Sequence, residues 1–120
     1  MPACLSPYES CPILPDHRII EINFGRWEGL GCGEHNLEIP PEEFSLFFTT
    51  PEQLRMPEGA ENVTDVIART GSFLSDLSGR KELSDKTILV TLHGCAMRAL
   101  LHPLYPEGSG FWQERCPPQL

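Results

Sequence analysis

The sequence predicts an α/β layered domain, and three features carry that prediction. Residues 87–92, reading TILVTL, are too apolar for a strand wet on one side, which implies a strand covered on both faces. Ahead of them lies an amphipathic helical stretch from about Asn62 to Leu77, and after them the chain passes through His93-Gly94 into a second helix, CAMRALL. Helix, short polar connection, strand and helix, in that order, is the grammar of stacked helical and sheet layers.

Size and composition bound the reading. At 120 residues and 13.5 kDa the chain makes at most one domain, able to bury roughly two thirds of its unfolded surface. Its 40% hydrophobic and 22% charged residues suit a soluble globular protein, while 12 Pro and 10 Gly imply much irregular chain. A net charge of −8 excludes the clustered Lys and Arg that a nucleic-acid backbone demands, so no nucleic-acid partner is expected. No apolar run reaches the roughly 20 residues of a membrane span, and MPACLSPYESC lacks the basic and apolar regions of a secretory signal. No membrane partner is expected, and the expected compartment is the cytoplasm. Five scattered cysteines (Cys4, Cys11, Cys32, Cys95, Cys116) are odd in number and contain no C-x-x-C pair, so they read as reduced thiols.

Taken in order, residues 1–16 hold four prolines and no apolar period, and are expected to be an irregular lead. HRIIEINF, His17 to Phe24, is short enough to be a strand or an extended loop, and Gly25 ends it. Arg26 to Pro41 reads as loop, and Pro41 to Phe48 as a short helix behind two prolines. Pro51 and Pro57 break the chain again. In the Asn62–Leu77 helix, Val63, Val66, Ile67, Thr70, Leu74 and Leu77 make one mostly apolar stripe, with Asp65, Arg69 and Asp76 off it. Asn62 suits the N-cap, Asp65 suits the first turn, and Ser78-Gly79 suits the stop, so this helix is expected to lean on a sheet.

The strand-to-helix junction at His93-Gly94 is where an anion is expected. Amides that open a helix are unpaired and carry the positive end of its dipole. Gly94 is expected to allow a tight turn and a close backbone approach to the ligand, with Cys95 and the helix start completing the seat. Cys95 itself is no phosphatase nucleophile of the C-x5-R kind, because Arg98 comes too early. Arg98 reads as a surface arginine, Trp27 as a packing residue at a pocket rim, and Glu28 and Asn62 as structural. His17, His35 and His102 lack any spacing that would gather a metal, and no metal site is expected.

EINFGRWEG (Glu21 to Gly29), PEGAEN (Pro57 to Asn62), the helix with Arg69 and Phe73-Leu74, and TILVTLHGCAMRALL together resemble the histidine phosphatase superfamily, the phosphoglycerate-mutase-like proteins, in its small-molecule phosphatase branch. The likeness covers most of Ile19 to Leu104. It implies a three-layer sandwich with a mainly parallel sheet, the site opening at the carboxyl ends of the strands. It implies phosphomonoester hydrolysis through a phosphohistidine, with no cofactor and no metal, on a small phosphorylated metabolite. By motif, Glu21 matches the glutamate that protonates the leaving alkoxide and later takes a proton from water. His93 matches the second histidine, which stabilises the phosphoryl oxygens, with His93, Gly94 and Cys95 as the phosphate-binding set.

The nucleophilic histidine of that family sits in an Arg-His-Gly motif, and these 120 residues contain none; at His17-Arg18 the order is reversed. The expectation is therefore a partial domain over residues 17–120 that begins partway through the family pattern. Such a chain supplies the acid and the second histidine but lacks the nucleophile, and alone it is expected to be inactive. The alternative is a catalytically dead remnant, at most a weak anion-binding module. In either case TILVTL would present an exposed sheet edge, through which a homo-oligomer is expected.

Overall fold

A computed structural model describes residues 11–33 and 36–105. Its framework is three α-helices: α1 (Pro41–Thr49), α2 (Val63–Gly79) and α3 (Gly94–Leu101). Short 3-10 turns at His17–Ile19, Gly25–Trp27, Pro51–Gln53, Lys81–Leu83 and His102–Leu104 join them. Residues 1–10, His35 and the GFWQERCPPQL tail lie outside the described residues, and with them most of the expected irregular lead.

α1 starts at Pro41, whose fixed φ suits a first helical position, and Glu42 and Glu43 sit favourably near its positive end. α2 has the predicted stripe: Val63, Val66 and Thr70 are buried, and Ile67, Leu74 and Leu77 are half-buried. Its first turn is held by the Asp65 carboxylate, which accepts from the Asn62 amide at 3.0 Å. At the centre of the stripe Thr70 hides its hydroxyl by donating to the Val66 carbonyl, 2.8 Å away.

Among the described residues there is no parallel sheet, which corrects the predicted sandwich. Among the described residues the β-structure is one antiparallel ladder of two residues a side, β1 (Cys32–Gly33) with β2 (Asn36–Leu37). α2 leans on α3 rather than on a sheet. TILVTL lies in neither a helix nor a ladder among the described residues, and Leu89 is 87% exposed where a strand covered on both faces was expected. A strand is buried on both faces only when neighbours flank it, and no described segment lies alongside this one. The sheet edge expected here is therefore not found among the described residues.

The core gathers where the helices converge. Ile22, Phe47, Leu54, Val63, Val66, Cys95 and Ala99 form one buried cluster, flanked by Phe24, Trp27, Leu46, Met56 and Ile67. Phe24 packs on Phe47 at 5.7 Å and so fastens α1 to the 21–27 segment, while Phe44, Phe47 and Phe48 pack on one another within α1. Through Ile22 and Phe24 this packing carries the Glu21 segment across the start of α3.

Candidate active site

His93 is the N-cap residue of α3, with extended φ −95° and ψ 171°, and its carbonyl accepts from the Met97 amide at 2.8 Å. Its ring is exposed. The helix that follows buries Cys95, Ala96, Ala99 and Leu100, so its opening turn is anchored while its first amides point outward. A Cβ on Gly94 would meet nothing within 4 Å, and Gly94 is not among the positive-φ glycines. The tight turn expected of Gly94 is thus corrected: the backbone there is ordinary, and the glycine only leaves the approach open.

The outward amides hold an anion that the chain itself provides. Glu21 reaches across from the extended segment, and its carboxylate accepts from the Cys95 amide at 3.1 Å and the Ala96 amide at 2.9 Å. A third bond, from the Ile22 amide at 2.9 Å, turns the carboxylate toward the helix. Two oxygens on two consecutive helix-opening amides is the arrangement an oxyanion takes at such a terminus. The structure therefore brings the Glu21 carboxylate to the Cys95 and Ala96 amides, at the start of the helix that His93 caps, 72 positions further along the chain.

Glu21 is aimed by a residue that the sequence pattern left off the apolar stripe. Arg69 on α2 donates to the backbone carbonyls of Arg18 at 2.9 Å, Ile20 at 2.6 Å and Glu21 at 3.3 Å. Its Nε and Nη2 grip both oxygens of Glu61 at 2.8 and 2.9 Å. Glu61 in turn accepts from the Asn23 amide at 3.1 Å, and its own amide donates to the Asn23 carbonyl at 2.9 Å. The guanidinium and that amide hold the Glu61 carboxyl below the usual range, and Glu61 raises Arg69 in return. The only sequence signal for this pair was a lone arginine in a helix preceded by a glutamate, at a spacing of eight that no helical pairing rule covers.

Close backbone contact completes the frame. Gly25 has φ +55°, and a Cβ there would stand 2.5 Å from the Ala60 nitrogen and 2.7 Å from the Gly59 carbonyl carbon. Only glycine lets EINFGRWEG and PEGAEN touch in this way. Glu28 accepts from the Phe24 amide at 3.0 Å and Trp27 packs on the core, as their structural readings expected. Cys95 is buried, and burial together with the neighbouring Glu21 pushes its thiol up to about 12, so it stays protonated and inert as a nucleophile. Arg98 is half-buried, and His17 and His102 are exposed. Among the described residues no group of His, Cys, Asp and Glu side chains could hold a metal ion, and no helix is long and apolar enough to cross a membrane.

The chain that builds this frame is similar to known proteins over most of its length. Residues 3–117 fit the family model of the histidine phosphatase superfamily, branch 1, and the chain belongs to that superfamily. It is 31% identical over 105 residues to phosphoserine phosphatase 1 of Hydrogenobacter thermophilus, an alignment taking in 87% of this chain and 48% of that protein. The chain thus spans about half the length of the curated relative it matches.

Proposed function

We propose that this chain carries the acid and second-histidine half of a phosphomonoesterase site for small phosphorylated metabolites. The observation that supports this best is the carboxylate of Glu21 seated on the Cys95 and Ala96 amides one turn from His93. A phosphoryl group is an oxyanion of the same bonding pattern, and the amides that donate to two carboxylate oxygens suit two phosphoryl oxygens. In the reaction proposed, substrate phosphate takes over the Gly94 and Cys95 end of α3, and the His93 ring meets a third oxygen as charge builds on it. Glu21, displaced from the amides and protonated from solvent, gives that proton to the alkoxide that leaves as a nucleophile not among these 120 residues bonds to phosphorus, and later accepts one from the water that releases the phosphoryl group. Phosphoserine is the first substrate to assay, since the relative matched over 105 residues is named for it.

A phosphohistidine pathway also needs a nucleophile, and the 120 residues contain no Arg-His-Gly. That sequence fact favours a second reading in which the chain only binds anions. Loss of one member of a catalytic unit costs on the order of a millionfold in turnover, so these residues alone are expected to hydrolyse neither phosphoserine nor p-nitrophenyl phosphate above buffer. The test is an amide and imidazole NMR titration with phosphate and with vanadate. Shifts at Cys95, Ala96 and the His93 ring are expected at millimolar anion. Unmoved signals at all three would remove the site, and steady turnover that survives His93→Ala would overturn the assigned roles.

A further inference from the structure

We infer, on the phosphate-site reading above, that the Glu21 carboxylate is an internal competitor for the anion seat at the start of α3, so that the resting chain closes its own site. A backbone amide has one hydrogen to give. Those of Cys95 and Ala96 both go to Glu21, Oε2 taking the first at 3.1 Å and Oε1 the second at 2.9 Å. An incoming oxyanion therefore finds both donors engaged and a like charge beside them. The way in is nevertheless clear, since a Cβ built on Gly94 meets nothing within 4 Å.

The closure is one that a single side chain can undo. Backbone on either side of Glu21 is fixed, because Ile22 is buried in the core and Arg69 donates to the carbonyls of Arg18, Ile20 and Glu21. Glu21 itself is half-buried, so rotation about its own side-chain bonds takes the carboxylate into water with the fold unchanged. What it leaves behind suits an anion: two vacated amides at the positive end of α3. Arg69 and Arg98 both act on the Cys95 thiol from nearby, opposed there by Glu61, which is paired with Arg69. Glu21 also does for α3 what a cap would do, since the His93 side chain makes no capping bond. Competition and capping predict different responses to phosphate.

The discriminating experiment titrates inorganic phosphate into the purified chain and into Glu21→Ala and Glu21→Asp. A seat that is open for only a fraction of the time has its apparent affinity reduced by that fraction, so removing the competitor should tighten phosphate binding about tenfold or more. Alanine removes the carboxylate. Aspartate keeps the charge but is one methylene too short to reach the amides, and its gain should be the smaller of the two. A second measurement needs no variant. With the Glu21 carboxyl carbon labelled in the parent chain, phosphate should move that signal together with the Ile22 amide, because Oε1 accepts from Ile22 and Ala96 at once.

Phosphate that shifts the Cys95 and Ala96 amides but leaves the Glu21 carboxyl carbon unmoved would overturn the inference. So would variants that keep the parent's amide spectrum elsewhere yet bind phosphate no more tightly, and Glu21 would then be a cap on α3 alone. Either result leaves the phosphate site standing. Absence of binding by the parent and by both variants would remove the site, and the competition with it.

Discussion

Arg69 directs its donors to three backbone carbonyls and one carboxylate, and so fixes the path of the chain on either side of Glu21. A lysine keeps the charge but has no planar fork, and cannot meet Arg18, Ile20 and Glu61 together. Arg69→Lys is expected to cost about 1–3 kcal/mol in urea unfolding and to move the Cys95 and Ala96 amide signals, because Glu21 loses its aim. Arg69→Ala should cost more, about 3 kcal/mol, since it leaves the Glu61 carboxylate part-buried and unpaired. Gly25 is constrained by space rather than charge. Gly25→Ala drives a methyl into the backbone of residues 58–60 at a positive φ, and a loss of about 2–3 kcal/mol is expected. A melting temperature within a degree of the parent would show that the two loops do not depend on this contact.

At the scale of elements, α2 was legible because a 3.6-residue period is a local property, and Val63, Val66 and Thr70 are buried where the stripe put them. α3 and the short α1 were legible for the same reason, helped by Pro41 and by His93-Gly94. The helix start at the junction was also readable, and with it the opening amides that an anion can meet. That this anion would be Glu21 itself could not be read, because nothing local in the sequence reports a contact 74 residues long. TILVTL failed for a related reason: apolar composition gives a segment's preference for burial but says nothing of what lies beside it. The weight α2 carries can be measured directly. Val66 is 0% exposed, and Val66→Ala removes two carbons from a packed site, with an expected loss of about 2 kcal/mol in chemical denaturation. A loss under half a kcal/mol would mean that the α2–α3 seam repacks freely.

At the scale of the whole molecule, charge pairing sets where the fold is stable. Bonds from Arg69 hold Glu61 low, bonds from Arg18 and Arg80 hold Asp76 low, and Arg18 holds Asp16 at about 2. The unfolded chain takes up protons on these carboxyls at about pH 4, before the folded chain does. Their contribution is therefore complete above about pH 5 and is lost as the pH falls through the depressed folded values. The Cys95 thiol acts at the other end. The unfolded thiol ionises near 9 and the folded one near 12, so stability falls again across that interval. Urea midpoints should be level between about pH 5 and 8 and decline on both sides. Glu61→Gln should shallow the acid limb and leave the alkaline limb as it is. A midpoint that rises on acidification would contradict the pairing.

The sulfur at the seam of α2 and α3 has a practical consequence. Because it is buried and remains a thiol at neutral pH, an alkylating reagent that needs thiolate can reach it only when those helices part. Its labelling rate, timed beside that of the exposed Cys11, is a clock for the opening of the molecule, and it runs without any engineered probe.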